Sequence, residues 1–231
     1  MTNFWTNLLD LFSPRLCAGC KRRLEASEHV VCDDCLAGMS FTHHSQQLYD
    51  NQMARLFWGI LPVERAAAWF FYEPNTESAA MVHDMKYHGR TDVAEELGRM
   101  TAEELKAKGF FDGVDGIVPV PLSADRQQER GYNQSMHIAI GISRVTGLPI
   151  YNKVLERIQF NGSQTHLTIE ERRENVARAF RLKDGRGMEG HHLLIVDDVL
   201  TTGSTIMACG SQLQLIPDVR ISIMTLGMAK S

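Results

Sequence analysis

No stretch of the sequence approaches the roughly 18 consecutive apolar residues of a membrane-spanning helix, and no transmembrane segment is expected. No secretory signal is expected from the opening residues either. Residues 1–16 have no basic start and no small-residue cleavage site, and Asp10 interrupts their apolar run. Basic charge is not in excess: 24 Lys and Arg stand against 28 Asp and Glu, a net charge of −4. That speaks against a surface coated for nucleic acid but leaves room for a local basic patch. Cysteine is scarce, five in all, and four of the five fall within the first 35 residues. Without a signal peptide a disulfide framework is not expected. The expected compartment is the reducing cytoplasm, where paired cysteines more often hold metal. Internal repeats and low-complexity segments are absent too. What is present, 44% hydrophobic and 23% charged residues, describes a globular chain able to bury a core. Its 231 residues suffice for one ordinary domain and a small accessory module.

Phe4, Trp5, Leu8, Leu9 and Phe12 recur at helical spacing and predict a short amphipathic helix ending before Pro14. Packing on the rest of the chain and lying on a membrane surface both remain open for it. Residues 1–41 are expected to form this helix and a cysteine module, 42–62 a linker, and 63–231 the main domain. In that domain the patterning predicts strands over 65–72, 116–120, 192–196 and 219–226. Helices are predicted over 76–87, 92–108, 134–146, 168–179 and 204–214, with Gly109 as one stop. Strands alternating with helices predict an α/β domain with a mainly parallel sheet flanked by helices.

The stretch HLLIVDDVLTTGST, 192–205, carries the strongest signal. Leu193, Leu194, Ile195 and Val196 form a strand with no polar side chain, as expected of one buried on both faces. Asp197 and Asp198 follow, then Thr201, Thr202, Gly203, Ser204 and Thr205. Ligands of open α/β sheets bind beyond the carboxyl ends of the strands. A glycine turn there lets N–H groups converge, the next helix adds its positive end, and the hydroxyls add donors: an anion site. The two carboxylates would repel an anion unless they had another task. Hydrogen-bonding vicinal ribose hydroxyls is such a task, and a nearby Mg²⁺ would offset their charge. A 5-phosphorylated ribose carrying a metal-bound pyrophosphate, 5-phosphoribosyl-1-pyrophosphate (PRPP), meets these demands. A bare strand-turn-helix with an Asp or Thr cap is the alternative. With its two acids and threonine-rich loop the stretch resembles the fingerprint of the type I phosphoribosyltransferases. The resemblance implies that Asp197 and Asp198 contact the ribose hydroxyls and that residues 201–205 cradle the 5-phosphate.

Cys17 and Cys20 form one CxxC pair and Cys32 and Cys35 another, eleven residues apart. Two such turns can aim four thiolates at one centre, which suits structural Zn²⁺ and leaves no open position for catalysis. Two redox pairs are the other reading. So small a module has little apolar core, and the metal would supply its fold. Arg15, Lys21, Arg22 and Arg23 are balanced by Glu25, Glu28, Asp33 and Asp34.

A four-cysteine module ahead of a phosphoribosyltransferase-like domain resembles the ComF family. Further segments in matching order carry the resemblance: Met85-Lys-Tyr-His-Gly-Arg90, Val118-Pro-Val-Pro121, Glu129-Arg-Gly-Tyr-Asn-Gln134, Gln164-Thr165 followed by Arg172 and Asn175, and Ala179-Phe180. The loop after Val118 should lie beside the phosphate loop, where Ser123 or nearby amides would meet the pyrophosphate. Arg126 and Arg130 suit bidentate phosphate contacts, with ordinary helix-flank charge as the alternative. Capping or ion pairing is open for Lys86 and Arg90, and the resemblance tips both toward a ligand role. Residues 160–168 match the position of a lid that would exclude water, and Gln164 is its residue of interest. The catalytic candidates are therefore Asp197, Asp198 and Gln164.

The resemblance implies transfer of a phosphoribosyl group from Mg-PRPP to an acceptor the sequence does not identify. It also implies a role in natural competence, DNA uptake or DNA utilisation, with competence or DNA-processing proteins as partners. The place of action would be the cytoplasm or, peripherally, the inner face of the membrane. Two alternatives stay open: PRPP sensing without catalysis, and binding of single-stranded DNA. Between Arg172 and Arg186 six basic residues outnumber two acidic ones, which makes this the DNA-binding candidate, with a solvated helix face as the alternative.

Overall fold

The computed structural model describes residues 14–158 and 179–230. The expected amphipathic segment, Gln164 and the basic helix up to Arg178 lie outside the described residues. After short helices α1 (Asp33–Ala37) and α2 (Gln52–Arg55), the order is β1 (Ala66–Tyr72), α3 (Glu77–Tyr87), α4 (Thr91–Lys106) and β2 (Gly116–Pro119). Then come α5 (Ala124–Arg130), α6 (Gln134–Thr146), β3 (Leu155–Arg157), β4 (Phe180–Leu182), β5 (His192–Leu200), α7 (Ser204–Leu213) and β6 (Arg220–Ala229).

Four strands form one parallel sheet in the order β1-β6-β5-β2. Leu194 pairs with Ser222 and with Ile117, and Val196 with Met224 and Pro119. Side chains alternate across the sheet. Leu194, Val196, Met224 and Leu226 join the core under α3, α4 and α6. Leu193, Ile195, Ile221 and Ile223 join the opposite core under α7. Both faces are covered, which is why these strands read as continuous apolar runs.

Among the described residues, expected and observed elements agree closely in type. The main difference is β5, which continues through Asp197 and Asp198 to Leu200, because β6 keeps pairing with it as far as Met228. The acids therefore stand on the strand rather than after it. Helix α5 and the antiparallel β3–β4 pair add to the expected elements. The 42–62 stretch, expected as a linker, is packed: Met53, Phe57 and Leu61 are buried, and buried His44 accepts from the Ala68 N–H through Nδ1 at 3.2 Å. Helices α4 and α6 meet backbone to backbone. A Cβ on Gly98 would stand 2.5 Å from the Ile138 carbonyl oxygen, and one on Gly141 would overlap that of Glu95. This contact fixes the start of α6 beside the ends of β2 and β5.

Candidate functional site

One cavity of about 290 Å³ opens at the carboxyl edge of the sheet. Asp197 and Asp198 enter it from β5, Thr201 and Thr205 from the loop and the start of α7, and Lys86 from α3. The exit of β2 contributes Val120, Pro121 and Leu122, α5 contributes Arg126 and Arg130, and α6 contributes Gln134 and Ser135. Arg157 at the end of β3 completes the basic wall. Neighbouring parallel strands end on the same side, so β2 and β5 bring their exit loops together here.

The two acids are held differently. The Asp197 Oδ1 accepts from the Ser135 hydroxyl at 2.9 Å and from the Asp198 N–H at 2.9 Å. The Asp198 Oδ2 lies 3.0 Å from Lys86 Nζ, and its Oδ1 accepts from the Val199 N–H at 2.6 Å. Burial, reinforced by the charge of Asp198, pushes the Asp197 carboxyl up to about 7. Four basic side chains surround the two carboxylates. Burial and then the nearby Arg126 charge hold the Arg157 guanidinium below its ordinary range. Among the described residues no ion pair neutralises Arg126 or Arg157. Arg157 instead stacks on Phe180 at 5.2 Å, and Arg130 on Tyr87 at 5.0 Å. The cavity therefore has a surplus of positive charge facing inward, beside two acceptors.

The loop after β5 prepares a helix start. Gly203, with φ of 76°, is the N-cap of α7 and brings no side-chain cap. The nearest substitute is the Thr202 hydroxyl, 3.4 Å from the Ser204 N–H and 2.9 Å from its hydroxyl. Thr201 and Thr205 reach the cavity wall, while Thr202, Gly203 and Ser204 form the turn between them. Ser123 caps α5, accepting from the Arg126 N–H at 3.4 Å, and is outside the cavity wall. Arg90 is engaged by Asp92 through two nitrogens at 2.8–3.1 Å, away from the cavity. Sequence reasoning missed Arg157, Tyr72, Gln134 and Ser135. The first sits on a three-residue strand with no periodic signal, and the others act through local position.

The four module cysteines converge. Cys17 and Cys35 sulfurs are 3.7 Å apart, as are those of Cys20 and Cys32, and all four lie within 4.8 Å of one another. A tetrahedral centre with arms of about 2.3 Å has edges of about 3.8 Å, so the four thiols fit a metal such as zinc. The Cys32 N–H points at the Cys17 sulfur at 3.3 Å, and the Cys35 N–H at that of Cys32 at 3.4 Å. Arg22 clamps Glu28 across the module, at 2.6 and 3.1 Å. The module is seated on α3: Lys21 Nζ lies 2.5 Å from Asp84 Oδ2, and Cys17, Val30 and Val31 share a core with Met81 and Met85. His83, Asp84 and His88 also gather ligand-capable atoms. There Asp84 is already engaged by Lys21, by His88 at 2.9 Å and by Arg90 at 3.9 Å.

Of the basic 172–186 stretch, the described cations are matched locally. Arg181 and Lys183 both pair with Glu156, and Arg186 with Asp184. Among the described residues no helix is long and apolar enough to cross a membrane.

No protein-family model matches the chain. The DNA utilization protein YhgH of Salmonella typhimurium is 29% identical over 208 residues, 84% of this chain and 88% of the relative. Competence protein F of Haemophilus influenzae is 25% identical over 195 residues, 83% of this chain and 80% of the relative. Among solved structures, glutamine phosphoribosylpyrophosphate amidotransferase from B. subtilis overlaps 62% of this chain at 21% identity, with a TM-score of 0.39. This chain spans 30% of that enzyme's length. Over most of its length, then, the chain is a homologue of the proteins named YhgH and competence protein F.

Proposed function

We propose that the chain binds PRPP with Mg²⁺ in the β5 cavity and works as a phosphoribosyltransferase-like protein of DNA uptake or utilisation. One observation carries the reading. Two carboxylates stand at the end of a buried parallel strand, in the same cavity as a helix start without a side-chain cap and four basic side chains. Asp197 and Asp198 would accept from the ribose hydroxyls, and Thr201–Thr205 would hold the 5-phosphate. Bound Mg²⁺ would supply positive charge to the pyrophosphate. Lys86, Arg126, Arg130 and Arg157 would add charge to the same group as it leaves C1. A plain strand-turn-helix gives no reason to turn arginines that have no ion-pair partner among the described residues toward two half-buried acids. The role in DNA uptake or utilisation follows the names of the relatives. Single-stranded DNA would use the basic surface around Arg172 to Arg186.

The cysteine module, residues 1–41 in this reading, holds structural zinc through Cys17, Cys20, Cys32 and Cys35. Residues 63–231 form the ligand-binding domain. Calorimetric titration of the full chain with PRPP and Mg²⁺ tests the first claim, with the Asp197→Asn/Asp198→Asn variant as control. Release of pyrophosphate with a candidate acceptor separates transfer from sensing. Charge reversal across Arg172, Arg173 and Arg178 should weaken single-stranded DNA binding, and the binding should fall steeply with salt. A salt-independent affinity would count against the DNA surface.

A further inference from the structure

Gln134 is the first residue of α6 and is only 1% exposed. Among the described residues neither its Nε2 nor its Oε1 has a hydrogen-bond partner, and it lines the cavity. Its neighbours in the same turn are satisfied. The Asn133 Oδ1 accepts from the Ser135 N–H at 3.1 Å, the Asn133 Nδ2 donates to the Val120 carbonyl at 2.9 Å, and Ser135 donates to Asp197. A buried amide with both ends unmet destabilises the folded chain, and an apolar side chain of the same size would avoid that cost. Arg130, on the same cavity, also has a buried Nε without a partner among the described residues. Unmet donors thus collect on one wall, between the Val120–Leu122 loop and Asp197, with the Arg126 and Arg130 charges beside them. Charged oxygens are the partners such a wall recognises.

We propose that Gln134 is a ligand-binding residue for the diphosphate group, its Nε2 donating to a diphosphate oxygen alongside Arg130. The inference rests on the reading of this cavity as a PRPP site. It predicts that Gln134 contributes nothing to the stability of the ligand-free chain and much to one part of the ligand.

The test titrates the full chain and its Gln134→Met and Gln134→Glu variants with three probes: PRPP with Mg²⁺, inorganic pyrophosphate with Mg²⁺, and ribose 5-phosphate. Ligand-free melting temperatures are measured alongside. Gln134→Met should bind PRPP and pyrophosphate about 10- to 100-fold more weakly, the range of a hydrogen bond to a charged group. Its affinity for ribose 5-phosphate should be unchanged, and its ligand-free melting temperature equal to or above that of the parent. Gln134→Glu should lose the same two ligands at least as strongly, because a carboxylate repels the anion. Equal PRPP affinity in parent and variants would overturn the assignment while leaving the PRPP site intact. So would parallel loss of all three probes with a fallen melting temperature, the mark of a structural role. A parent chain that binds none of the probes would sink the underlying site reading, and this inference with it.

Discussion

Lys86 Nζ lies 3.0 Å from Asp198 Oδ2, joining the end of α3 to the end of β5 across the cavity. Both side chains are largely shielded from water, so removing the cation leaves the Asp198 carboxylate without its ion-pair partner. Lys86→Met should weaken Mg-PRPP binding about 10- to 100-fold. It should also move the pH dependence of binding to higher pH. Titration calorimetry at several pH values reads both effects, and an unchanged affinity would remove Lys86 from the site.

Asp197 has the clearer pH signature. Folded, it keeps its proton to about 7, because burial and the Asp198 charge oppose ionisation; its ordinary value is 3.8. Between those values the folded chain holds more protons than the unfolded one. This group's contribution to stability is therefore present below 3.8 and lost as pH rises through about 7. Ligand binding runs the other way, since an ionised carboxylate is the better acceptor for ribose hydroxyls. Affinity for Mg-PRPP should rise with pH up to about 7 and then level off. Asp197→Asn should abolish that rise, and a flat profile in the parent chain contradicts the assignment.

Zinc should be structural and its loss should be felt beyond the module. Cys17, Val30 and Val31 share a core with Met81 and Met85 of α3, the helix that also carries Lys86. Metal analysis should return about one equivalent per chain. Cys32→Ser should lower the melting temperature and, through α3, weaken PRPP binding. A metal-free chain with unchanged melting behaviour would refute the four-thiolate centre.

The α4–α6 contact offers a test at a residue that does not itself line the cavity. A methyl group on Gly141 has no room against the Glu95 carbonyl. Gly141→Ala should cost about 1–3 kcal/mol in denaturant unfolding. Because α6 begins at Gln134 and Ser135, the displaced helix should also loosen the Ser135–Asp197 hydrogen bond. Stability equal to the parent would mean that the two helices are free to separate.

How far the sequence reveals this arrangement depends on the range of the interaction. Leu193 to Val196 announce a buried strand, and Asp197 to Thr205 the paired acids and hydroxyl-rich turn at its end, because backbone, charge and turn chemistry act within a dozen neighbouring residues. The CxxC spacing announces the cysteine cluster for the same reason. Arg157 is different. It reaches the cavity from a three-residue strand paired with Phe180–Leu182, more than twenty residues later, and so short a strand has no readable period. Gln134 stands in a segment that carries the resemblance, but no role for it is legible until its burial and its lack of partners among the described residues are known. One missed signal was available: Met53, Phe57 and Leu61 recur every four residues across the end of the polar 42–55 segment and the apolar run that follows it.

The central claim is that Asp197, Asp198 and the Thr201–Thr205 turn bind PRPP. Calorimetric titration of the full chain with PRPP, in the presence of Mg²⁺, tests it most directly. Saturable binding near one site per chain is predicted, weakened at least about 100-fold in Asp197→Asn/Asp198→Asn. No binding to the parent chain, or equal binding to both, would contradict it.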